Sequence, residues 1–283
     1  MWTYDFQDVD SLGLPSVFNG AVYIANGKGI SQVQYPYLWS LDAQTGTVNW
    51  AAALSAQWEQ YWAPLRVGNV VYTNAGTFGG LYGISSTDGS QTFFVSLDQY
   101  DSWSPAYFSE HLYTFMAGSF RQHNPLTGAT LSTVKVTWNW SGYTMGTAPV
   151  FGTELPYVIA PPSLIAIDPA SQSVAWSASG SYAGTPAVWH NLVFGISAGN
   201  LIVRDATTGV LAWTFVGDTQ LKYPPVFANG YLYVASDAHL YAVNLLTHQQ
   251  VYQDTIGGWL SISNRRLIVA ATNGTLTAYL MSQ

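Results

Sequence analysis

The chain has 283 residues, of which 48% are hydrophobic, 15% aromatic and only 8% charged, and its formal net charge is -7. Zero cysteine excludes disulfides, thiolate catalysis and Cys-ligated zinc. Eight Lys and Arg argue against a nucleic-acid partner, since phosphate binding leans on clustered basic residues, and with no apolar run of transmembrane length no membrane insertion is expected.

The chain opens on Met1-Trp-Thr-Tyr-Asp, whose Trp-x-Tyr pattern matches Trp213-Thr-Phe far downstream. Then comes the first of a series: an aromatic residue eight positions after a proline, at Pro15/Tyr23, Pro64/Tyr72, Pro105/Tyr113, Pro149/Tyr157, Pro186/Phe194 and Pro225/Tyr233, with Leu260/Ile268 as a degenerate seventh. A period of roughly 40 residues belongs to propeller blades among repeat architectures.

Each copy reads as four short strands, A to D. In the sixth these are Pro225-Val-Phe-Ala, Tyr231-Leu-Tyr-Val-Ala, Leu240-Tyr-Ala-Val-Asn and Gln250-Val-Tyr-Gln. Strand C usually ends in Asp or Asn, and a Gly often follows, as in Asp42-Ala-Gln-Thr-Gly46 and Asp205-Ala-Thr-Thr-Gly209, a turn chemistry in which the acid caps backbone N–H groups. Strand D carries a large aromatic at a fixed offset: Trp50, Phe93, Trp176, Trp213 and Tyr252. The third copy has Ser132 there, so its outer edge is expected to pack least well. The seventh copy stops after strand C. Residues 1–6, with Trp2, read as the missing strand D, and their pairing with 276–281 would leave no open sheet edge. The expected fold is all-β: one seven-bladed propeller over 1–283, of four-stranded antiparallel blades, closed by the N-terminal strand completing the last blade.

The unit Pro-x-Val-x-x-Gly-x-Val-Tyr, Leu-Tyr-Ala-Leu-Asp, Thr-Gly-x-x-x-Trp is clearest in Pro225 to Tyr233, Leu38 to Asp42 and Thr208 to Trp213. It resembles the repeat of the PQQ-like (quinoprotein alcohol dehydrogenase-like) β-propellers, over essentially the whole chain. The resemblance implies the fold and leaves function open among quinone-dependent dehydrogenases, outer-membrane assembly scaffolds and binding modules. Its dehydrogenases hold their quinone between a Trp and adjacent cysteines and bind calcium through Glu, Asn and Asp. This chain has no Cys and only Glu59, Glu110 and Glu154, so no quinone or other cofactor is expected.

Among propeller loops, the D–A and B–C connections share one face, called the top. The D–A loops are crowded with aromatics, and the same face carries Asp8, Asp10, Glu59, Asp98, Asp101, Asp218, Asp237 and Asp254. Variable loops on a rigid scaffold are where function sits. The candidate ligand-binding residues are Trp62, Trp103, Tyr223 and Trp259, immediately before strand A, with Trp58, Tyr100, Trp138 and Trp140 in the longer loops. The alternative for the first four is a wedge between blades. Arg66 joins the candidates because its strand A equivalents are apolar or aromatic: it is either paired with an acid or aimed at a ligand. Arg204, breaking the apolar row of strand C, reads as paired.

Rings beside carboxylates suit sugars, whose apolar face stacks while hydroxyls bond to acids. No nucleophile elbow, metal-binding His pair or phosphate loop is present, and only His239 of the five histidines falls on the top. Neither a catalytic residue nor a metal site is assigned. The expected function is a non-catalytic, monomeric binding module for carbohydrate or a protein surface. The alternative is a carbohydrate-active lyase or hydrolase on the same face, and a quinone-dependent dehydrogenase ranks behind it. Low Lys and richness in Ser, Thr, Gly and aromatics point to an extracytoplasmic or secreted protein.

Overall fold

The computed structural model describes residues 2–6, 11–27, 36–55, 62–139 and 144–281, of 144–147 only the backbone. It is all-β, a seven-bladed propeller of antiparallel sheets. Two compact units divide it. Residues 1–149 hold three four-stranded blades and a short parallel pair, Asp101–Trp103 with Thr144–Thr147. Residues 150–283 hold three four-stranded blades and a last one of three strands, Trp259–Ser263, Arg266–Ala270 and Leu276–Leu280.

The proline-to-aromatic spacing has a simple origin. The residue after the proline pairs across the A–B hairpin with the aromatic of strand B: Ser16 with Tyr23, Leu65 with Tyr72, Ala106 with Tyr113, Val150 with Tyr157, Ala187 with Phe194 and Val226 with Tyr233. In most blades the proline stands at or just before the start of strand A, where a missing N–H costs the ladder nothing.

From strand B a row runs outward across each blade. Tyr23, Tyr72, Tyr157, Phe194 and Tyr233 each pair with a smaller residue of strand C, respectively Ser40, Gly83, Ala166, Val203 and Ala242. Those residues pair in turn with the aromatics of strand D, Trp50, Phe93, Trp176, Trp213 and Tyr252. Over the small middle residue the outer rings meet, with centroids 6.0 Å apart for Tyr23/Trp50, 6.1 Å for Tyr72/Phe93, 5.8 Å for Tyr157/Trp176 and 6.0 Å for Phe194/Trp213. Blade three breaks the rule at two positions at once. Gln122 stands where the small residue would be, and Ser132 donates to its Oε1 at 3.2 Å, so a polar pair replaces the missing ring.

The turn after strand C receives the preceding blade's ring. Asp42 Oδ1 accepts from the backbone N–H of Gln44 and Thr45, and Asp205 Oδ1 from Thr208, which holds both carboxyls below the usual carboxylate range. The closing glycine needs a left-handed backbone, φ +71° at Gly209, and a Cβ there would stand 2.6 Å from the ring of Trp176. Trp50 meets Gly89 and Phe93 meets Gly128 in the same way. The indole N–H of Trp50 donates to Ser86 O at 3.0 Å and that of Trp176 to Ala206 O at 2.9 Å. In blade six the glycine is replaced by His248 at φ +58°, and Trp213 stacks on its imidazole.

Residues 2–6 are described outside any strand, and the seventh sheet has three strands. Trp2 nonetheless has the side-chain environment of a strand D aromatic: its N–H donates to Ala43 O at 3.0 Å, and its ring lies against Gly46.

Candidate functional site

Gly257 and Gly258 let a loop close over a polar surface cluster of residues 150–283. A Cβ on Gly257 would stand 2.1 Å from the carbonyl of Ser236, so the loop before strand A of blade seven lies directly on the B–C turn of blade six. Ser236 builds that turn by accepting from the N–H groups of Ala238 and His239 at 3.1 and 2.9 Å. Its hydroxyl donates to Asp218 Oδ2 at 2.6 Å, and His239 Nδ1 lies 3.0 Å from the same oxygen. Burial is the largest single influence and pushes the Asp218 carboxyl up, but the bonds from Ser236, His239 and the Gln220 N–H, with the charge of His239, together outweigh it and the net shift is downward. With the serine hydroxyl committed to the carboxylate and not to the imidazole, these three residues form no nucleophile and base pair.

Beside them stands Tyr223, only 2% exposed, packed among Ala235, Leu240, Leu267 and Val269. Its hydroxyl donates to Asp237 Oδ1, and Lys222 Nζ lies 3.0 Å from Asp237 Oδ2 and 5.5 Å from the Tyr223 ring. Burial, then the bond to Asp237, pushes the phenol up to about 12, while the bonds from Tyr223 and Lys222 hold the Asp237 carboxyl below its usual range. The ring centroid of Trp259 is 5.0 Å from that of Tyr223, and Trp259 itself is 55% exposed. The result is an indole presented to solvent on a fixed base, rimmed by Asp237, Lys222 and the half-buried His239.

The sequence-predicted residues therefore divide. Tyr223 and Trp259 come together, the first as a buried support and the second as surface. In residues 1–149, Trp138 is edge-to-face with both Tyr100, at 6.3 Å, and Phe115, at 6.1 Å. Trp103 is 2% exposed, in a core of Tyr72, Leu81, Phe93, Leu112 and Met116, with its N–H donated to Tyr100 O at 2.8 Å. Its ring presents no surface to a ligand. Trp62 is half-buried at the entry to blade two. Trp58 and Trp140 lie outside the described residues.

Among the described residues Arg66 meets a phenol, a carbonyl and an aromatic face and no acid. Nη1 donates to the hydroxyl of Tyr23 at 2.7 Å, Nε donates to Gly68 O at 3.1 Å, and the guanidinium lies 4.9 Å from the centre of the Phe18 ring. A phenol and an aromatic face take the place of the acid. Arg204, expected to be paired with an acid, is held instead by neutral groups, Tyr182 Oη at 2.9 Å and Gly209 O at 2.8 Å. Lys222 and Ser236 were not singled out in the sequence. Lys222 stands next to Tyr223, and Ser236 sits one residue before Asp237 in the B–C turn, so adjacency to the named residues was the available signal. Among the described residues no group of three or more His, Asp or Glu is placed to hold a metal ion, and no helix is long and apolar enough to cross a membrane.

Residues 117–258 match the family of the outer membrane protein assembly factor BamB. Among solved structures, BamB from Moraxella catarrhalis superposes with a TM-score of 0.79 at 18% identity, covering 97% of this chain and 84% of that one. The computationally designed Ika8 protein superposes with a TM-score of 0.67 at 11% identity, covering 97% of both chains. At these identities the likeness speaks for the fold. No curated protein matches in sequence. The chain belongs to the BamB family of PQQ-like β-propellers.

Proposed function

We propose that this protein is a non-catalytic interaction propeller that recognises a protein surface through the rim of blades six and seven. The observation that carries the reading is Trp259, 55% exposed, on a base that Tyr223 and Asp237 hold rigid. An aromatic anchor fixed before binding loses little entropy when a partner covers it, and such residues dominate interface energies. Asp237, Lys222 and His239 supply the polar rim around it. The matched family is named for an assembly factor, which supports an interaction role and an extracytoplasmic location.

A photo-crosslinking amino acid at position 259 tests the reading on native extracytoplasmic extract. A protein adduct that Asp237→Ala weakens supports it. A glycan-array signal lost in Trp259→Ala, with no protein adduct, would transfer the site to carbohydrate, a reading favoured by the same exposed indole beside a carboxylate. Neither adduct nor glycan would sink both.

A further inference from the structure

A polar cavity of about 190 Å³ opens between blades four and five, at their A–B turns, the ends of the strands opposite to the loop that carries Trp259. The A–B turn of blade four is closed by the Gly152 N–H on Leu155 O at 3.0 Å, and a Cβ on Gly152 would stand 3.1 Å from the Tyr157 ring and 3.3 Å from Val188. That turn therefore lies on blade five and carries Thr153 and Glu154 to the rim of the cavity. The rest of the rim is His190 and Asn191, from the A–B turn of blade five, and Thr207, from the turn after its strand C. Tyr157 and Ala206, both buried, line the inner side.

Most donors in this cavity are committed. Tyr157 Oη donates to Ala206 O at 2.9 Å, and the N–H of Trp176 takes that carbonyl's second lone pair at 2.9 Å. Thr207 Oγ1 donates to Asn191 Oδ1 at 3.1 Å, and Asn191 Nδ2 to Asp205 Oδ2 at 2.6 Å. Unused lone pairs remain on Tyr157 Oη, Thr207 Oγ1 and Asn191 Oδ1, and above all on the Glu154 carboxylate, which among the described residues has neither a hydrogen bond nor a cation. Against them stand only the Thr153 hydroxyl, the second hydrogen of Asn191 Nδ2 and one N–H of His190. His190 holds a left-handed backbone at φ +51°, where blade two has Gly68 at φ +55°, so the turn itself does not require an imidazole there. Its ring is edge-on to Trp189 with centroids 4.2 Å apart, and its nitrogens have no hydrogen-bond partner among the described residues. No Lys or Arg lines the cavity. Burial first, then the charges of Asp205 and Glu154, pushes the Tyr157 phenol up to about 12, so both charges acting at the inner side are negative.

We propose that this cavity binds a guanidinium group, as carried by arginine, with Glu154 as its counter-charge. A guanidinium has five donors, no acceptor and a permanent charge, the complement of a carboxylate among unused lone pairs. Those acceptors sit on three separate turns, and a planar fork reaches several of them at once where an ammonium, a compact point charge, serves fewer. Size agrees: sites for whole small molecules run about 300–1,000 Å³, and 190 Å³ is room for the head of one side chain. Tyr157 and Ala206 belong to the core of blades four and five, while Tyr223, the support of Trp259, belongs to that of blades six and seven. The cavity is thus a second site, and it does not rest on the reading of the Trp259 rim.

The test is an NMR titration of the isotope-labelled full chain, at constant ionic strength, with arginine blocked at both ends, its citrulline and lysine counterparts, and an arginine flanked by two glycines on each side. The amide signals of Glu154, His190, Asn191 and Thr207 should shift saturably with blocked arginine. Binding should weaken roughly tenfold or more with citrulline, which keeps the shape and loses the charge while the protein is untouched, and with blocked arginine on Glu154→Gln. Blocked lysine should bind more weakly than blocked arginine, and Trp259→Ala should leave the titration unchanged. Tighter binding of the glycine-flanked peptide than of the single residue assigns the guanidinium to a protein chain, and equal binding assigns it to a free guanidinium compound. Citrulline or lysine binding as tightly as arginine, indifference to Glu154→Gln, or no saturable shift up to the solubility of blocked arginine overturns the inference. A titration lost in Trp259→Ala overturns it in favour of the rim.

Discussion

Trp2 donates its indole N–H to the carbonyl of Ala43 at 3.0 Å, the bond that Trp176 makes to Ala206. Ala43 and Ala206 each follow the aspartate that opens the turn after strand C, Asp42 and Asp205. Trp2 therefore docks on blade one as strand D aromatics dock on the blade after their own. Being half-buried, it should contribute less than the buried Trp50. We expect Trp50→Ala to cost about 3–5 kcal/mol and Trp2→Ala about 2–3 kcal/mol, with Trp2→Phe losing only the hydrogen bond, about 1 kcal/mol. Urea midpoints of the three variants give the order. Equal stability of Trp2→Ala and wild type would mean that this contact holds nothing in place.

The turn glycines offer a second measurement, because two of them share a conformation and differ in what they touch. Gly230 has φ +80° and nothing within 4 Å of an added Cβ, whereas Gly209 at φ +71° would bring that Cβ to 2.6 Å from the Trp176 ring. Gly230→Ala should cost about 1–2 kcal/mol, the penalty of a left-handed L-residue. Gly209→Ala should exceed it by at least about 1 kcal/mol, since the ring must shift in a packed layer. The difference between the two melting curves isolates the contact from the backbone strain.

How far the sequence discloses this molecule depends on which interactions repeat. The blades are legible because each copy restates the same row, and Pro225/Tyr233 needs no tertiary information to be read as a hairpin. The site is legible only where a residue departs from the repeat and its neighbours in space are also neighbours in sequence, as Tyr223 with Lys222. Trp103 and Trp259 both precede or enter a blade and look alike in sequence. One is 2% exposed and the other 55%, a difference set by the packing around each, Tyr72 and Met116 about Trp103, which the sequence interval does not encode. The environment of Arg66 is illegible for a related reason: its partner Tyr23 stands one repeat earlier, and a hydrogen bond to a phenol leaves no charge pattern to detect.

Those two residues give opposite-looking results on substitution. Trp103→Ala empties a core position and should cost about 3–5 kcal/mol, so any loss of binding in that variant must be corrected for unfolded protein. Arg66→Met removes the hydrogen bonds to Tyr23 and to Gly68 O and keeps part of the packing on Phe18. It should cost about 1–2 kcal/mol, below the roughly 3–5 kcal/mol of a broken buried ion pair. Denaturant titration of the two variants decides; a loss of 4 kcal/mol at Arg66 would reveal an acidic partner that the present contacts do not contain.

Acid sensitivity should trace to His123, fully buried in strand C of blade three. Its Nδ1 lies 3.0 Å from Gly128 O, a pure acceptor, so Nδ1 carries the proton, and Nε2 accepts from Thr114 Oγ1 at 2.9 Å. Thr130 Oγ1 is 3.3 Å from Nδ1, and Arg121 is the charged group that acts on the ring. Burial is the leading cause of a pKa lowered from 6.5 to about 4, with the Gly128 bond opposing it and Arg121 adding to it. The unfolded chain thus binds this proton more readily than the folded one between those two values. Stability is full above pH 6.5, falls as pH drops toward 4, and changes no further from this group below it. A shift from 6.5 to about 4 corresponds to about 3 kcal/mol. Asp42, Asp168 and Asp205 are held below the usual carboxylate range, so their contributions are lost only under more acidic conditions, and the two windows separate. Urea unfolding at pH 7, 5.5 and 4.5 should show wild type losing stability across this series while His123→Gln, weaker at pH 7, stays nearly level. Parallel slopes for the two proteins would assign the acid sensitivity elsewhere.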